Sequence, residues 1–371
     1  MQTNPPQNVQ TIRVELGPRS YDVQVGPSLL GRLGATLAAM KSVRQAAVIV
    51  DSNVAALHAA TATESIQSAG ITATALIFPA GEEHKNLPTY SRLMDSLLAL
   101  RPAVDRDAVV VSLGGGVCGD LAGFVAATAL RGLRWVQCPT TLLADVDASV
   151  GGKTAVDHPV GKNLIGAFHQ PSAVLIDVLA LRTLPARQIS NGLAECVKHA
   201  LIADAAGLDF LETHAGQLLE AQPDLTARLI AHDVAIKAKV VSADEREAGI
   251  RAHLNFGHTL GHAIEASVGL GRILHGEAVS LGMVAACRLA AQRGLISADL
   301  AARVESLLLR LGLPTHREGL DVGAVESIMQ HDKKARAGRL RLVLPVGLGR
   351  VDVFEDIPPQ QVRQAVASLG Q

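Results

Sequence analysis

His258 and His262 stand four residues apart in NFGHTLGHAIEA, and His275 follows in LHGEAVSLG. Residues i and i+4 share one face of a helix, so the first pair can aim two imidazoles at one point. Imidazole is the commonest protein ligand of catalytic metals, and an open catalytic site takes three protein ligands. Glu195, in NGLAECVKHALI, adds a carboxylate three residues before Lys198 on a helical pattern. These four side chains are more than one such ion needs, and their spacing does not say which three bind. Taken alone, H-x-x-x-H is more often packing than ligation, because so short a motif recurs by chance. Its surroundings tip the balance toward a metal.

The stretch PTTLLADVDASVGGKTAVDHPVGKNLIGAFHQP, residues 139–171, is too polar and too rich in glycine and threonine for a plain connection. Loops of this length in a compact domain are usually functional. It carries Asp147, Lys153, Lys162 and Asn163; with Lys198, Lys237 and Arg251 the chain offers five cations and an amide around the metal ligands. Any one of these lysines is an ordinary surface residue. As a set they repel one another unless an anion joins them, which points to a small substrate with more than one anionic group. Arg251 precedes Asn255 by four and His258 by seven, so one long helix would put all three on a single face.

Gly114, Gly116 and Gly119 in SLGGGVCGDLAGF form G-x-G-x-x-G between a buried strand and a helix. That context suits a dinucleotide: backbone N–H groups and a helix N-terminus receive the pyrophosphate. The acidic residue usual about 20 positions later is missing, since the next strand runs RWVQCPTT. Asp51, at the end of an earlier strand, can hold a ribose hydroxyl instead, although a strand-end aspartate also commonly serves a turn. No arginine adjoins it, which favours NAD over NADP. Glu82 and Lys85 in AGEEHKNL bracket another turn after a strand; alone they would be an ordinary solvated loop.

The elements that must position these residues fall into two halves. TIRVELGPRSYDVQVG alternates like a hairpin, and 46–54, 73–83, 107–116, 134–141 and 173–185 are short apolar strands separated by helical patterns. Strands this apolar are covered on both faces of a mostly parallel sheet. From Pro185 to about residue 330 nearly everything has helical periodicity. HDKKARAGRLRLVLPVGLGR then enters a strand or hairpin. The expected organisation is a disordered tail over 1–10, an α/β domain over 11–185 and a mainly helical domain over 186–371.

Composition bounds the partners. Aromatic residues are 2% of 371, which argues against stacking on nucleic-acid bases. A net charge of −1 gives no general pull toward nucleic acid or membrane. Four cysteines without CxxC spacing suit buried thiols in a reducing compartment. MQTNPPQNVQ lacks the features of a targeting peptide, and no run approaches a membrane span of about 18 apolar residues, so a cytoplasmic protein is expected.

The chain resembles the 3-dehydroquinate synthase family from about residue 11 to 350. The resemblance is carried by AGEEHK, LGGGVCGDLAGF, the 139–171 stretch, LPARQISNGLAECVKHAL, ADEREAGIRAHLNFGHTLGHAIEA, LHGEAVSLGM and DKKARAGRLRLVL. It implies a Rossmann-like, mostly parallel α/β domain that binds NAD, then a mainly helical domain, with the active site in the cleft between them. It further implies a homodimer and one divalent metal, zinc or cobalt. Carried over by position, Glu195, His258 and His275 are the metal ligands and His262 neighbours the substrate. Asp51, Asn53, Glu82, Lys85, Gly115, Gly116, Asp120, Thr140, Thr141 and Thr183 fall at NAD contacts, with Lys153 and Lys162 serving both cofactor and substrate. Asp147, Lys153, Lys162, Asn163, Lys198, Lys237, Arg251, Asn255 and one lysine of Lys333 and Lys334 fall at substrate contacts. Arg131 matches an arginine lent to the phosphate in the partner subunit. The implied reaction converts 3-deoxy-D-arabino-heptulosonate 7-phosphate to 3-dehydroquinate and phosphate in the shikimate pathway of aromatic amino-acid biosynthesis. It runs through transient oxidation, phosphate elimination, re-reduction, ring opening and aldol closure. Asp147, His262 and the substrate's own phosphate are the alternatives for proton transfer.

Overall fold

The computed structural model describes residues 9–246, 249–269, 271–335 and 340–370, with the side chains of 331–335 outside the description. Most of the expected 1–10 tail lies outside the described residues, but Gln10 already belongs to a strand. The chain divides into two compact units, Met1–Leu184 with Thr226–Ser242, and Pro185–Leu225 with Ala243–Gln371. A linear split at 185 therefore misses one helical segment. Helical periodicity reports an apolar face, not which core that face joins.

The first unit is built on a seven-stranded sheet. In chain order its strands are β1 Gln10–Val14, β2 Tyr21–Gly26, β3 Gln45–Asp51, β4 Thr72–Phe78, β5 Val109–Gly114, β6 Arg134–Pro139 and, after a separate hairpin of β7 Lys153–His158 and β8 Gly161–Phe168, β9 Ala173–Asp177. The spatial order is β1-β2-β9-β6-β5-β3-β4, parallel except for the β1–β2 hairpin. Side chains alternate faces along a strand, and both faces are buried. Ala46, Val48 and Val50 join Leu33, Leu37 and Ile66 on one side. Ala47 and Ile49 join Leu93, Leu121 and Val125 on the other. After β4 the chain returns past β3 to form β5. The C-terminal ends of β3 and β5 therefore flank the point where strand order reverses, the ligand crevice of open α/β sheets.

The 139–171 stretch is not a long loop. A π-helical turn, Ala144–Ala148, leads into an antiparallel hairpin, β7 Lys153–His158 with β8 Gly161–Phe168. Its alternation is hard to see because β8 buries almost nothing and so carries polar and glycine residues.

The second unit is mainly helical. Ala186–Ala203, His258–Val268 and His275–Gln292 form its centre, and an antiparallel hairpin, Leu342–Gly347 with Arg350–Phe354, ends the expected basic segment. Gly276 lets these helices meet: it donates its N–H to Asn191 Oδ1 at 2.5 Å, and a Cβ there would run into the Asn191 carbonyl. Among the described residues no helix is long and apolar enough to cross a membrane.

Candidate active site

Glu195 is wholly buried on its helix, with Lys198 one turn further and ion-paired to Oε2. His258 and His275 each open a helix, and their Nε2 atoms both lie 3.4 Å from Glu195 Oε1. Metal–nitrogen bonds of about 2.0–2.1 Å place tetrahedral ligands roughly 3.3–3.4 Å apart, so these separations fit one divalent ion. Burial penalises the Glu195 charge, but Lys198, His258 and His275 together outweigh it and hold the carboxyl well below its usual range. Burial also pushes His258 down to about 3, against the pull of Glu195 and with help from Lys198, His275 and His262. An anionic carboxylate beside a neutral imidazole is the protonation state that a metal requires.

The ring orientations have their own supports. His258 Nδ1 is 3.1 Å from the Phe256 carbonyl; donating there leaves the Nε2 lone pair facing Glu195. His275 Nδ1 is 4.0 Å from Oε2 of the mostly buried Glu265. The ring of His262 is 5.3 Å from that of His258 and 5.7 Å from that of His275, so nitrogens of all three histidines come within 4.8 Å of one another. His262 is the exposed member, and the shorter separations belong to the Glu195 set. Arg251 is 2% exposed, with its guanidinium donating to the Glu245 carbonyl and its backbone N–H to Asp244 at 3.2 Å.

In the first unit, Asp51 and the glycine turn meet at the strand-order reversal. Asp51 Oδ1 accepts from the N–H groups of Asn53 and Val54, at 3.0 and 3.1 Å. A Cβ on Gly114 would stand 3.1 Å from Asp51 Oδ2. The carboxylate thus fills the turn role and still presents its other oxygen to the glycines. Gly115 caps the helix Gly116–Thr128 without a side chain, and a Cβ there would crowd Thr141 at 3.0 Å. Buried Thr140 Oγ1 has no hydrogen-bond partner among the described residues. Bare N–H groups, a cradle with no room for side chains and an unsatisfied hydroxyl suit a pyrophosphate.

Two polar groups lie beyond this turn. Lys85, 4% exposed, reaches Asp120 Oδ2 and Asn163 Oδ1, each at 2.5 Å, while Lys162 Nζ stands 3.3 Å from Glu82. Burial raises the Asp120 carboxyl above its ordinary range against the pull of Lys85. Lys237 Nζ lies 2.7 Å from Asp147 Oδ1 and also bonds the Asp147 carbonyl.

Comparison with known proteins agrees with this geometry. Residues 75–191 match the family model for the 3-dehydroquinate synthase N-terminal region, and 192–335 match that for the C-terminal region. The chain belongs to the 3-dehydroquinate synthase family. A 3-dehydroquinate synthase of Symbiobacterium thermophilum is 47% identical over 96% of this chain and 99% of its own. One of Caulobacter vibrioides is 46% identical over 98% and 99%. Among solved structures, 2-epi-5-epi-valiolone synthase of Streptomyces hygroscopicus with NAD+ and Zn2+ aligns with a TM-score of 0.86 at 30% identity, covering 96% of this chain and 97% of that one. A 2-deoxy-scyllo-inosose synthase with carbaglucose-6-phosphate, NAD+ and Co2+ also gives 0.86, at 27% identity over 97% and 100%. The activity is that of the family: conversion of 3-deoxy-D-arabino-heptulosonate 7-phosphate to 3-dehydroquinate and phosphate, a carbon–oxygen lyase reaction that closes a carbocycle.

Against the family's expected residues, the first unit gathers Asp51, Asn53, Gly115, Gly116, Thr140 and Thr141 around one turn, and Glu82, Lys85, Asp120, Lys162 and Asn163 around the hairpin. Thr183 is exposed, with Oγ1 3.1 Å from His58 Nε2. Lys153 is exposed at the start of β7. Exposed Arg131 follows the far end of the 13-residue helix, about 20 Å from the glycine turn at ~1.5 Å per residue. In the second unit Glu195, Lys198, His258, His262 and His275 come together. Arg251 and Asn255 do not share a helix with His258: they lie in a 3-10 segment, Ile250–Asn255, and Gly257 at φ 75° starts a new helix. A left-handed residue breaks the i, i+4, i+7 register that the spacing suggests. Lys334 lies in the helix Val322–Ala335, with its side chain outside the described residues. Two residues escaped the sequence reading. Glu265, seven after His258, shared its helical face and could have been found there. Asp157 lies within the 139–171 stretch, but its residue type and spacing gave no chemical role.

Proposed function

We propose that the chain acts as a 3-dehydroquinate synthase in which Glu195, His258 and His275 hold one divalent ion, zinc or cobalt, and the Asp51–Gly115–Thr140 turn holds NAD. The observation that carries this reading is the pair of 3.4 Å separations between Glu195 Oε1 and two imidazoles. NAD and the metal bound by the solved relatives support it. When bound, NAD supplies reversible hydride transfer and the ion lowers the pKa of the hydroxyl being oxidised.

The protein's own residues position and neutralise. Asn53, Glu82, Lys85, Asp120, Thr141 and Thr183 complete the NAD contacts. Lys198, Arg251, Asn255 and Lys334, with Lys153, Lys162, Asn163 and Lys237, bind the carboxylate and phosphate ends of the substrate and restrict it to reactive geometry. Asp147 (its carboxylate paired with Lys237), His262 and the substrate's own phosphate are the alternatives for proton transfer. The reading includes a homodimer in which Arg131 reaches the phosphate of the partner's substrate, and a cytoplasmic setting, which the four buried free thiols support.

The test is phosphate release from the heptulosonate phosphate, with NADH followed in parallel and with or without chelator. Phosphate release without net NADH, lost on chelation, is expected. Stoichiometric NADH would indicate a dehydrogenase instead.

A further inference from the structure

The β7–β8 hairpin departs from regular pairing where its chemistry sits. His158 pairs with Gly161 and Val156 with Ile165, so Asp157 alone faces Lys162, Asn163 and Leu164. Asn163 takes a left-handed φ of 58°, an uncommon backbone for a side-chain-bearing residue that needs local support.

That support is a closed circuit of hydrogen bonds through Asp157. Its Oδ1 accepts the Asn163 backbone N–H at 2.8 Å. The Asp157 N–H donates to the Lys85 carbonyl at 2.7 Å. Lys85 Nζ then donates to the Asn163 side-chain oxygen at 2.5 Å and pairs with Asp120. Both the backbone and the amide of Asn163 are thereby fixed from one neighbouring segment, which is itself tied to the helix behind the glycine turn. Nothing else in the hairpin's ladder pairs the Asn163 N–H among the described residues.

We infer that Asp157 is a positioning residue of the reaction. Through its carboxylate oxygen on the Asn163 N–H, it holds Asn163 and the adjoining Lys162 in the orientation that receives substrate. This rests on the proposed function, which gives those two residues their substrate contacts. The part that matters is the acceptor oxygen and not the charge, because the partner is an uncharged backbone amide.

Three variants of the full chain test this. Asp157→Ala should lower kcat/KM at least ~10-fold, mainly through KM for the heptulosonate phosphate, with the NAD Kd within about twofold of native. Asp157→Asn keeps the oxygen and should stay within about threefold. In an Asn163→Ala background, which keeps the backbone N–H and Lys162 but loses the amide, Asp157→Ala should cost clearly less than its ~10-fold effect in the native chain, since the part that acts through the Asn163 side chain is already gone. An indifferent Asp157→Ala, a parallel loss of NAD affinity, or independent multiplying costs would each overturn the role. Should Asp157→Ala not fold, Asp157→Asn decides: near-native activity supports the acceptor role, and a tenfold fall overturns it. A native enzyme that releases no phosphate would instead refute the function reading itself.

Discussion

His258 and His275 reach Glu195 from the first residues of two helices, so each imidazole hangs on backbone already fixed by a helical turn. Replacing His275 with Ala should lower metal affinity by more than the roughly 10–100-fold typical of a lost orienting partner, with NAD binding retained. Metal analysis and NAD titration check this, and full metal content in the variant would remove His275 from the ligand set. Arg251→Ala should cost about 1.5–3 kcal/mol in kcat/KM, the range for a charge-assisted hydrogen bond; a value within twofold of native counts against an anion clamp. Asp145 offers a different test. It is fully buried, neither carboxylate oxygen is hydrogen-bonded among the described residues, and burial, with nearby Asp177, holds its carboxyl well above the ordinary range. The folded chain therefore keeps a proton that the unfolded chain loses above about pH 4, and stability falls as pH rises until the folded group also ionises, by at most ~1.4 kcal/mol per pH unit. Asp145→Asn should gain in Tm over native, with a gap that widens from about pH 5 to pH 7; a constant gap would refute the buried-proton account. That the histidines and Glu195 lie together was legible because metal chemistry restricts residue type and helical spacing restricts position. Asp157 was not, because many residues can accept a hydrogen bond and only contact reveals which one does.

At the scale of elements, the proposed ligand set depends on how closely helices approach. A Cβ on Gly282 would run into the Gly257 carbonyl, next to His258, although Gly282 itself touches no ligand. Gly282→Ala should cost about 1–3 kcal/mol of stability by overpacking and lower metal affinity in step. Thermal melts and metal titration measure both; a stability loss with unchanged metal affinity would mean that the helices tolerate the shift. The parallel strands were readable from unbroken runs such as AVIV and VVVSLG, because burial on both faces leaves no polar alternation to confuse. The β7–β8 hairpin was unreadable for the opposite reason. Its outer strand buries so little that Leu164 and Phe168 stand exposed among glycines and polar residues, and the pattern resembles a loop.

For the molecule as a whole, Arg131 provides the decisive experiment. Leu130 and Arg131 both take left-handed φ, 49° and 69°, and Gly132 follows at 123°, so the arginine is thrown clear of its helix. If it serves the partner, mixing subunits of Arg131→Ala with subunits of His275→Ala should restore roughly a quarter of the native activity, from the one complete site in each mixed dimer. No recovery after subunit exchange would place Arg131 in its own subunit's chemistry. Sequence pattern alone could not have made this distinction, since a lone arginine after a helix has no periodicity to interpret.

The reversal of strand order has a consequence for where this chain can change. Asp51, Gly115 and Thr140 all stand at the same end of the sheet, directly at strand termini, so under the proposed function any residue added there displaces a proposed NAD contact. The opposite end answers only to chain closure. The turn before β5, around Asp105, is capped by that residue's own carboxylate accepting from Asp107 and Ala108. Lengthening it would tax stability alone, so divergence and engineered insertions belong on that side of the sheet, where the chemistry does not feel them.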